Sequence, residues 1–387
     1  MSQIFSIPFD APFSDTLARY LLRETDPLKR AQKIVFLPTR QACLDLAQAL
    51  QESHPEGSHL LPSLIPLGEI DPDEVALSTL TGTQLIQNLP PLITSERRQL
   101  LLATLLMSYH KTHNPLSLDR AIDLSRDLIR LIDDMRSNDI PLEELADLNP
   151  HIENAEHWHQ IVSFLKIISH HWDAILTEEN VIESIPYLTR LRQHQIQQWS
   201  DAPPPHEVII AGSQGTIHST RALMEALLKL PLGTLILQGF ETVESLDTFP
   251  ELSPTHPQYQ HYDLLNKLAI EPQNVQSMEE SPPSSDAHPI SIYEASNLGK
   301  EAQIIALKIR HVLEKNRDTK ILCLSQDRSL LNRIAIELQR WNIDVVPHQG
   351  RSLLSTAWGS FITTAALCFQ HDHFLTAFLS LLKHPFS

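Results

Sequence analysis

Apolar residues are spaced along this chain in three different ways, and each predicts a different kind of element. Near the start, Ile4, Phe5 and Ile7 form a short β-prone run, residues 8–14 carry turn formers, and Thr16 to Leu22 follow helical spacing. Ile34 to Leu37 are continuously apolar, the pattern of a parallel strand buried on both faces. Pro38-Thr39 break that run, and Cys43, Leu46, Ala47 and Leu50 then recur at helical spacing. Two β–loop–α units within about fifty residues predict the beginning of a doubly wound parallel sheet. "SLIPLGEID" offers one more short strand.

From Ser95 to Trp199 the pattern is amphipathic helix throughout. Leu100, Leu101, Leu105 and Tyr109 mark one helix, and Ile122, Leu128, Ile129, Ile132 and Met135 the next. Trp158, Ile161, Leu165, Ile168, Trp172 and Ile175 mark a third at a 3.6-residue period. Glycine is absent from this stretch, which suits long uninterrupted helices. Strand patterns then return in "HEVIIAGSQG" and "GTLILQGF". A polar, Pro/Ser-rich segment at 271–289 reads as an exposed linker. Beyond it, "ISIYEA", "KILCLS" and "IDVV" read as strands alternating with helices at Lys300 to Lys315 and Ser329 to Trp341. The expected organisation is an α/β sheet domain from 1–94 and 205–270, a helical insertion at 95–204, the linker, and a second α/β domain at 290–387. That last domain has few strands, so the chain reads as the N-terminal part of something larger.

Charge narrows the choice of partners. Among 387 residues, 30 are Lys or Arg and 47 Asp or Glu, a net charge of −17. This acidity argues against a self-sufficient DNA-binding module, although a channel shared with a basic partner stays open. Cys43, Cys323 and Cys368 lie far apart with no C-x-x-C, as buried thiols do in a reducing compartment. No signal peptide and no bilayer-length apolar run is visible, which predicts a cytoplasmic protein that does not enter the membrane.

Candidate chemistry is sparse. The histidine pairs His157/His159, His170/His171 and His371/His373 show no H-E-x-x-H and no ligand spacing, so no metal is assigned. Ser213 sits at a strand-to-helix elbow, but "AGSQG" is not G-x-S-x-G. Pro8 to Thr16 occupies the strand–loop–helix position of a phosphate-binding loop. It lacks the glycines and the lysine of such a loop, and carries Asp10, Asp15, Pro8 and Pro12 instead. After the strand Val208 to Ile210, Ala211, Gly212 and Ser213 stand where Mg²⁺-holding carboxylates would be expected. Thr216, Ser219 and Thr220 read as helix caps or as phosphate contacts. Thr39 and Arg40, at the predicted C-terminal edge of the sheet, suit a phosphodiester contact, or equally a helix cap and a pairing with Asp45.

Taken in order, "IPFDAPFSDTLA", "FLPTRQAC", "LIPLGEIDPDE", "IIAGSQGTIHST", "HPQYQHYDLL", "GRSLLSTAWGSF" and "LLKHPF" resemble the N-terminal half of the AddB family, in its alphaproteobacterial form. AddB is a subunit of the AddAB helicase–nucleases. The resemblance implies a RecA-like, superfamily 1 helicase-like first domain with a degenerate Walker A loop and an inserted helical domain, followed by the start of a second RecA-like domain. It implies a role in processing DNA double-strand breaks for homologous recombination, beside an AddA-type helicase–nuclease subunit. Single-stranded DNA would then be contacted within the complex by Thr39, Arg40, Gly212, Ser213, Gln214, Gly215 and Thr216. No catalytic, cofactor or metal residue is assigned, because the family's nuclease metal and four-cysteine iron–sulfur cluster belong to a more C-terminal region. The alternative from another class is a self-contained α/β enzyme acting on a nucleotide sugar or small phosphate ester.

Overall fold

The computed structural model describes residues 3–53, 60–68, 89–110, 116–142, 144, 171–241, 252–278, 290–345, 353–369 and 374–387. It divides into two compact units, Met1–Ser284 and Ser285–Ser387.

The first unit is α/β, built on a six-stranded sheet in which every pairing is parallel. Its strands are β1 (Gln3–Ile7), β2 (Ile34–Leu37), β3 (Ser63–Pro66), β4 (Val208–Ala211), β5 (Gly233–Gln238) and β6 (Gln276–Ser277), in the order β3-β2-β4-β5-β1-β6. As their apolar runs predict, β2 and β4 are buried at every position. Their side chains alternate between two cores. Ile34, Phe36, Val208 and Ile210 face α6 (Ser184–Asp201), α7 (His218–Leu227) and α8 (Tyr259–Lys267). Val35, Leu37, Ile209 and Ala211 face α1 (Phe13–Leu22) and α3 (Arg40–Glu52), and α2 (Pro27–Gln32) leads into β2. Fully burying one such isoleucine contributes about 2 kcal/mol.

The strands on either side of the helical stretch meet in this sheet, with Ile34, Val35 and Phe36 in register with Val208, Ile209 and Ile210. Between them, α4 (Ser95–His110) and α5 (Leu118–Ser137) pack with the helical residues 171–178 around Leu102, Leu106, Ile132 and Trp172. Leu102 and Leu106 are the deepest residues of α4, while Leu101 and Leu105 are only partly buried and Leu100 is exposed. Most of the expected third helix, including His157, His159 and His170, lies outside the described residues, as do His371 and His373.

The polar segment at 271–289 is structured where it begins. Pro272–Asn274 forms a helical turn, and β6 joins the sheet beside β1, with Met278 N–H donating to the Ser6 carbonyl at 2.9 Å. Composition missed this edge strand because its side chains are exposed and only its backbone is used.

In the second unit, α9 (Leu298–Lys315) and α10 (Arg328–Gln339) pack through Ala302, Ala306, Leu330, Ile334 and Leu338. Next come α11 (Ala357–Leu367) and α12 (Phe374–Leu382), which pack on each other. The three expected strands do not form among the described residues: residues 290–295, 320–325 and 343–345 carry no ladder, Val346 of "IDVV" lies outside the described residues, and no strand occurs among those of this unit. Cys323 and Ile343 turn toward the helices, whereas Ile290, Ile292, Leu322 and Leu324 are 80–92% exposed. Residues 290–294 are exposed throughout, and in 320–325 only Cys323 and Ser325 are partly covered.

Candidate functional site

Parallel α/β sheets bind ligands beyond the carboxyl ends of their strands, where neighbouring strands send their helices to opposite faces. This sheet has two such places. β2 is followed by α3 on one face while its neighbour β4 is followed by α7 on the other; β1 and its neighbour β5 diverge likewise through α1 and α8.

The loop at 8–13 lays two aromatic rings against the turns that follow β5 and β4. Gly239, after β5, has φ 74°, and a Cβ there would lie 2.3 Å from the Phe9 ring. Gly212, after β4, has φ 71°, and a Cβ there would lie 2.9 Å from the Phe13 ring. Both turns are glycine because the backbone is left-handed and a phenyl ring rests against it. Pro12 is the N-cap of α1 and offers no side-chain cap. Thr16 is buried and accepts a hydrogen bond from Arg19 Nη2 at 2.9 Å.

Beside β2 and β4, the sequence-predicted residues do converge. Because Phe36 pairs with Ile210, residues 38–40 and 212–216 leave adjacent strands at the same edge. The Thr39 hydroxyl is the N-cap of α3, accepting from Ala42 N–H at 3.1 Å, so its capping role is realised. Arg40 is the first residue of that helix and is exposed. Asp45 accepts from Gln41 Nε2 at 2.8 Å. Across the gap, Ser213 Oγ accepts from Gly215 N–H at 3.3 Å, Gly215 is buried with φ 61°, and Gln214 and Thr216 are exposed. Arg221 Nη1 braces the turn by donating to the carbonyls of Gly215 and Thr216 at 2.9 and 3.1 Å.

The capping role read for Thr216, Ser219 and Thr220 is not realised. The N-cap of α7 is Ile217, without a side-chain hydrogen bond, and Ser219 and Thr220 are buried inside the first turn. Ser219 is engaged instead by Arg192 of α6, whose Nη1 donates to Ser219 Oγ at 2.6 Å and whose Nη2 donates to the Leu67 carbonyl at the end of β3. Arg192 is 6% exposed, and its partners among the described residues are neutral. Burial pushes its pKa down to about 10. A cation buried against neutral acceptors is unfavourable by itself. Sequence reading did not find Arg192.

His261 of α8 is also buried beside this edge, bonded to the Gln238 backbone at the end of β5, with Nδ1 unpartnered. Burial lowers its pKa, an effect the Gln238 bond opposes. Among the described residues no group of three or more His, Cys, Asp or Glu side chains converges as a metal site, and no helix is long and apolar enough to cross a membrane. No protein-family model matches this chain, and none of the curated proteins matches it.

Proposed function

We propose that this chain is a RecA-like, helicase-type scaffold without ATPase activity. In this reading it works within an AddAB-type assembly that processes broken DNA ends for recombination. It holds single-stranded DNA at the crevice between residues 38–40 and 212–216. The observation that carries the reading is the contrast between the two strand-end gaps. At one, the Phe9 ring lies against Gly239, where a phosphate loop would need open backbone N–H groups. The other presents a glycine turn, Thr39 and Arg40 on adjacent strands. A chain with a net charge of −17 repels a polyanion, so the strand must be delivered by a basic, AddA-type partner.

The test is photocrosslinking of single-stranded DNA to residues 212–216, with the chain alone and in complex with such a partner. Crosslinks are expected only in the complex. Arg40→Ala should weaken the contact by about 1–2 kcal/mol, the scale of one charge-assisted hydrogen bond, and leave folding intact. Calorimetry should detect no saturable ATP·Mg²⁺ binding. Binding of a nucleotide sugar or phosphate ester by the chain alone, lost on Arg40→Ala, would favour the self-contained enzyme instead.

A further inference from the structure

Helix α6 meets the helical layer at one end and the strand ends further along, and a buried charge sits at each contact. Glu183, its N-cap, is 1% exposed. The Glu183 carboxylate accepts from Trp172 Nε1 at 3.0 Å and lies 2.6 Å from Arg98 Nη2 of α4. Arg136 Nε of α5 stands 3.4 Å from Glu183 Oε2, an ion-pair distance, yet neither atom makes a hydrogen bond. Arg98 and Arg136 are paired in turn with Asp133 and Asp173. About 14 Å further along the axis, Arg192 grips Ser219 and the Leu67 carbonyl. Tyr187 and Leu191 are buried between the two charges, and beyond them Trp199 packs edge-on against Phe36.

We infer that α6 is a strut coupling the packing of α4 and α5 to the shape of the 212–217 turn, with Glu183 and Arg192 as its positioning residues. An apolar residue at 192 would fill the space without fixing the angle between the end of β3 and the first turn of α7. The planar guanidinium fixes it through two directed bonds. Charges buried at both contacts hold the helix in one discrete arrangement, so a shift of the helical layer reaches the turn instead of dissipating. A partner that grips the helical layer thereby acts on the crevice. The coupling itself does not depend on what the turn binds, while its consequence for DNA rests on the function proposed above.

Amide hydrogen exchange on the full chain tests this without any ligand. Arg192→Met keeps the buried stem and removes the fork, and should accelerate exchange at residues 212–220 by about tenfold or more while residues 33–37 keep their protection. Glu183→Gln, at the other contact, should accelerate the same amides by a smaller factor. The double variant should exchange no faster than Arg192→Met alone, as expected when both act through one helix. Arg192→Lys, a single-point donor, should fall between. If Arg192→Met does not fold, Ser219→Ala removes one acceptor and carries the same expectation. A uniform acceleration across the chain, a Glu183→Gln effect confined to the helical layer, or additive effects in the double variant would overturn the strut. Coupled exchange without DNA crosslinking in the assembly would uphold the strut and refute the DNA reading.

Discussion

The two edges of one sheet treat buried charge in opposite ways. At the N-terminal edge, Glu207 precedes β4 and accepts from Tyr20 Oη at 2.6 Å, Lys33 Nζ at 2.7 Å and Thr234 Oγ1 at 2.8 Å. Charge there is met by opposite charge at Oε2, and two hydroxyl donors share Oε1. At the C-terminal edge, Arg192 is buried more deeply and meets neutral oxygens among the described residues. An edge that only has to fold can neutralise itself. An edge where a buried guanidinium meets only neutral oxygens among the described residues carries that charge at a cost in stability.

The sharpest break of this comparison is a pair of substitutions. Glu207→Leu should destabilise the chain by about 2–4 kcal/mol, because it strands the half-buried Lys33 ammonium and two hydroxyls. Arg192→Met should change global stability by less than about 1 kcal/mol, since relief of desolvation offsets the two lost bonds. Denaturant melts of both variants measure the difference, and equal losses would erase the contrast between the edges.

A smaller effect separates the two gaps at the C-terminal edge. Gly239→Ala combines a left-handed backbone with a Cβ 2.3 Å from the Phe9 ring, and should cost about 1–2 kcal/mol. Adding Phe9→Ala should recover only the steric part, leaving the backbone strain. Full recovery would mean that the ring alone demands glycine.

The smallest effects come from pH, and the two edges should respond at opposite ends of the scale. Burial, reinforced by the Glu207 carboxylate, raises the Tyr20 pKa above its ordinary 10.0. The folded state then holds a proton that the unfolded chain releases, so this contribution is complete below pH 10 and lost as pH rises beyond it. The His261 pKa is lowered from 6.5, chiefly by burial. The unfolded chain there binds the extra proton, so stability is present above pH 6.5 and lost as pH falls. Thermal melts across pH should lose part of their alkaline slope in Tyr20→Phe and part of their acid slope in His261→Gln. If neither variant changes its slope, these groups do not govern the pH response of the edges.

What the sequence determined by itself were the elements whose burial is written in their own residues. Ile34 to Leu37 and Val208 to Ala211 are unbroken apolar runs because both faces of a central parallel strand are covered, and the helix at 118–137 follows from its period. At 95–110 the helix was legible but its buried face, Leu102 and Leu106, was not. The glycine turn after β4 was legible from its composition, whereas its place beside Thr39 and Arg40 was an expectation of the family resemblance alone. Only the tertiary structure decided which runs find a neighbour. "ISIYEA" and "KILCLS" have the composition of strands and no ladder, whereas Gln276–Ser277 is polar and pairs with β1. Only it could distinguish Arg192, buried on Ser219 and Leu67, from the exposed Arg190 two positions before it, and show that the Phe9 and Phe13 rings lie against Gly239 and Gly212. Periodicity records which face of an element avoids water. What covers that face, and which charge is buried with it, depends on contacts such as Arg192 to Leu67, 125 residues apart, which no local pattern encodes.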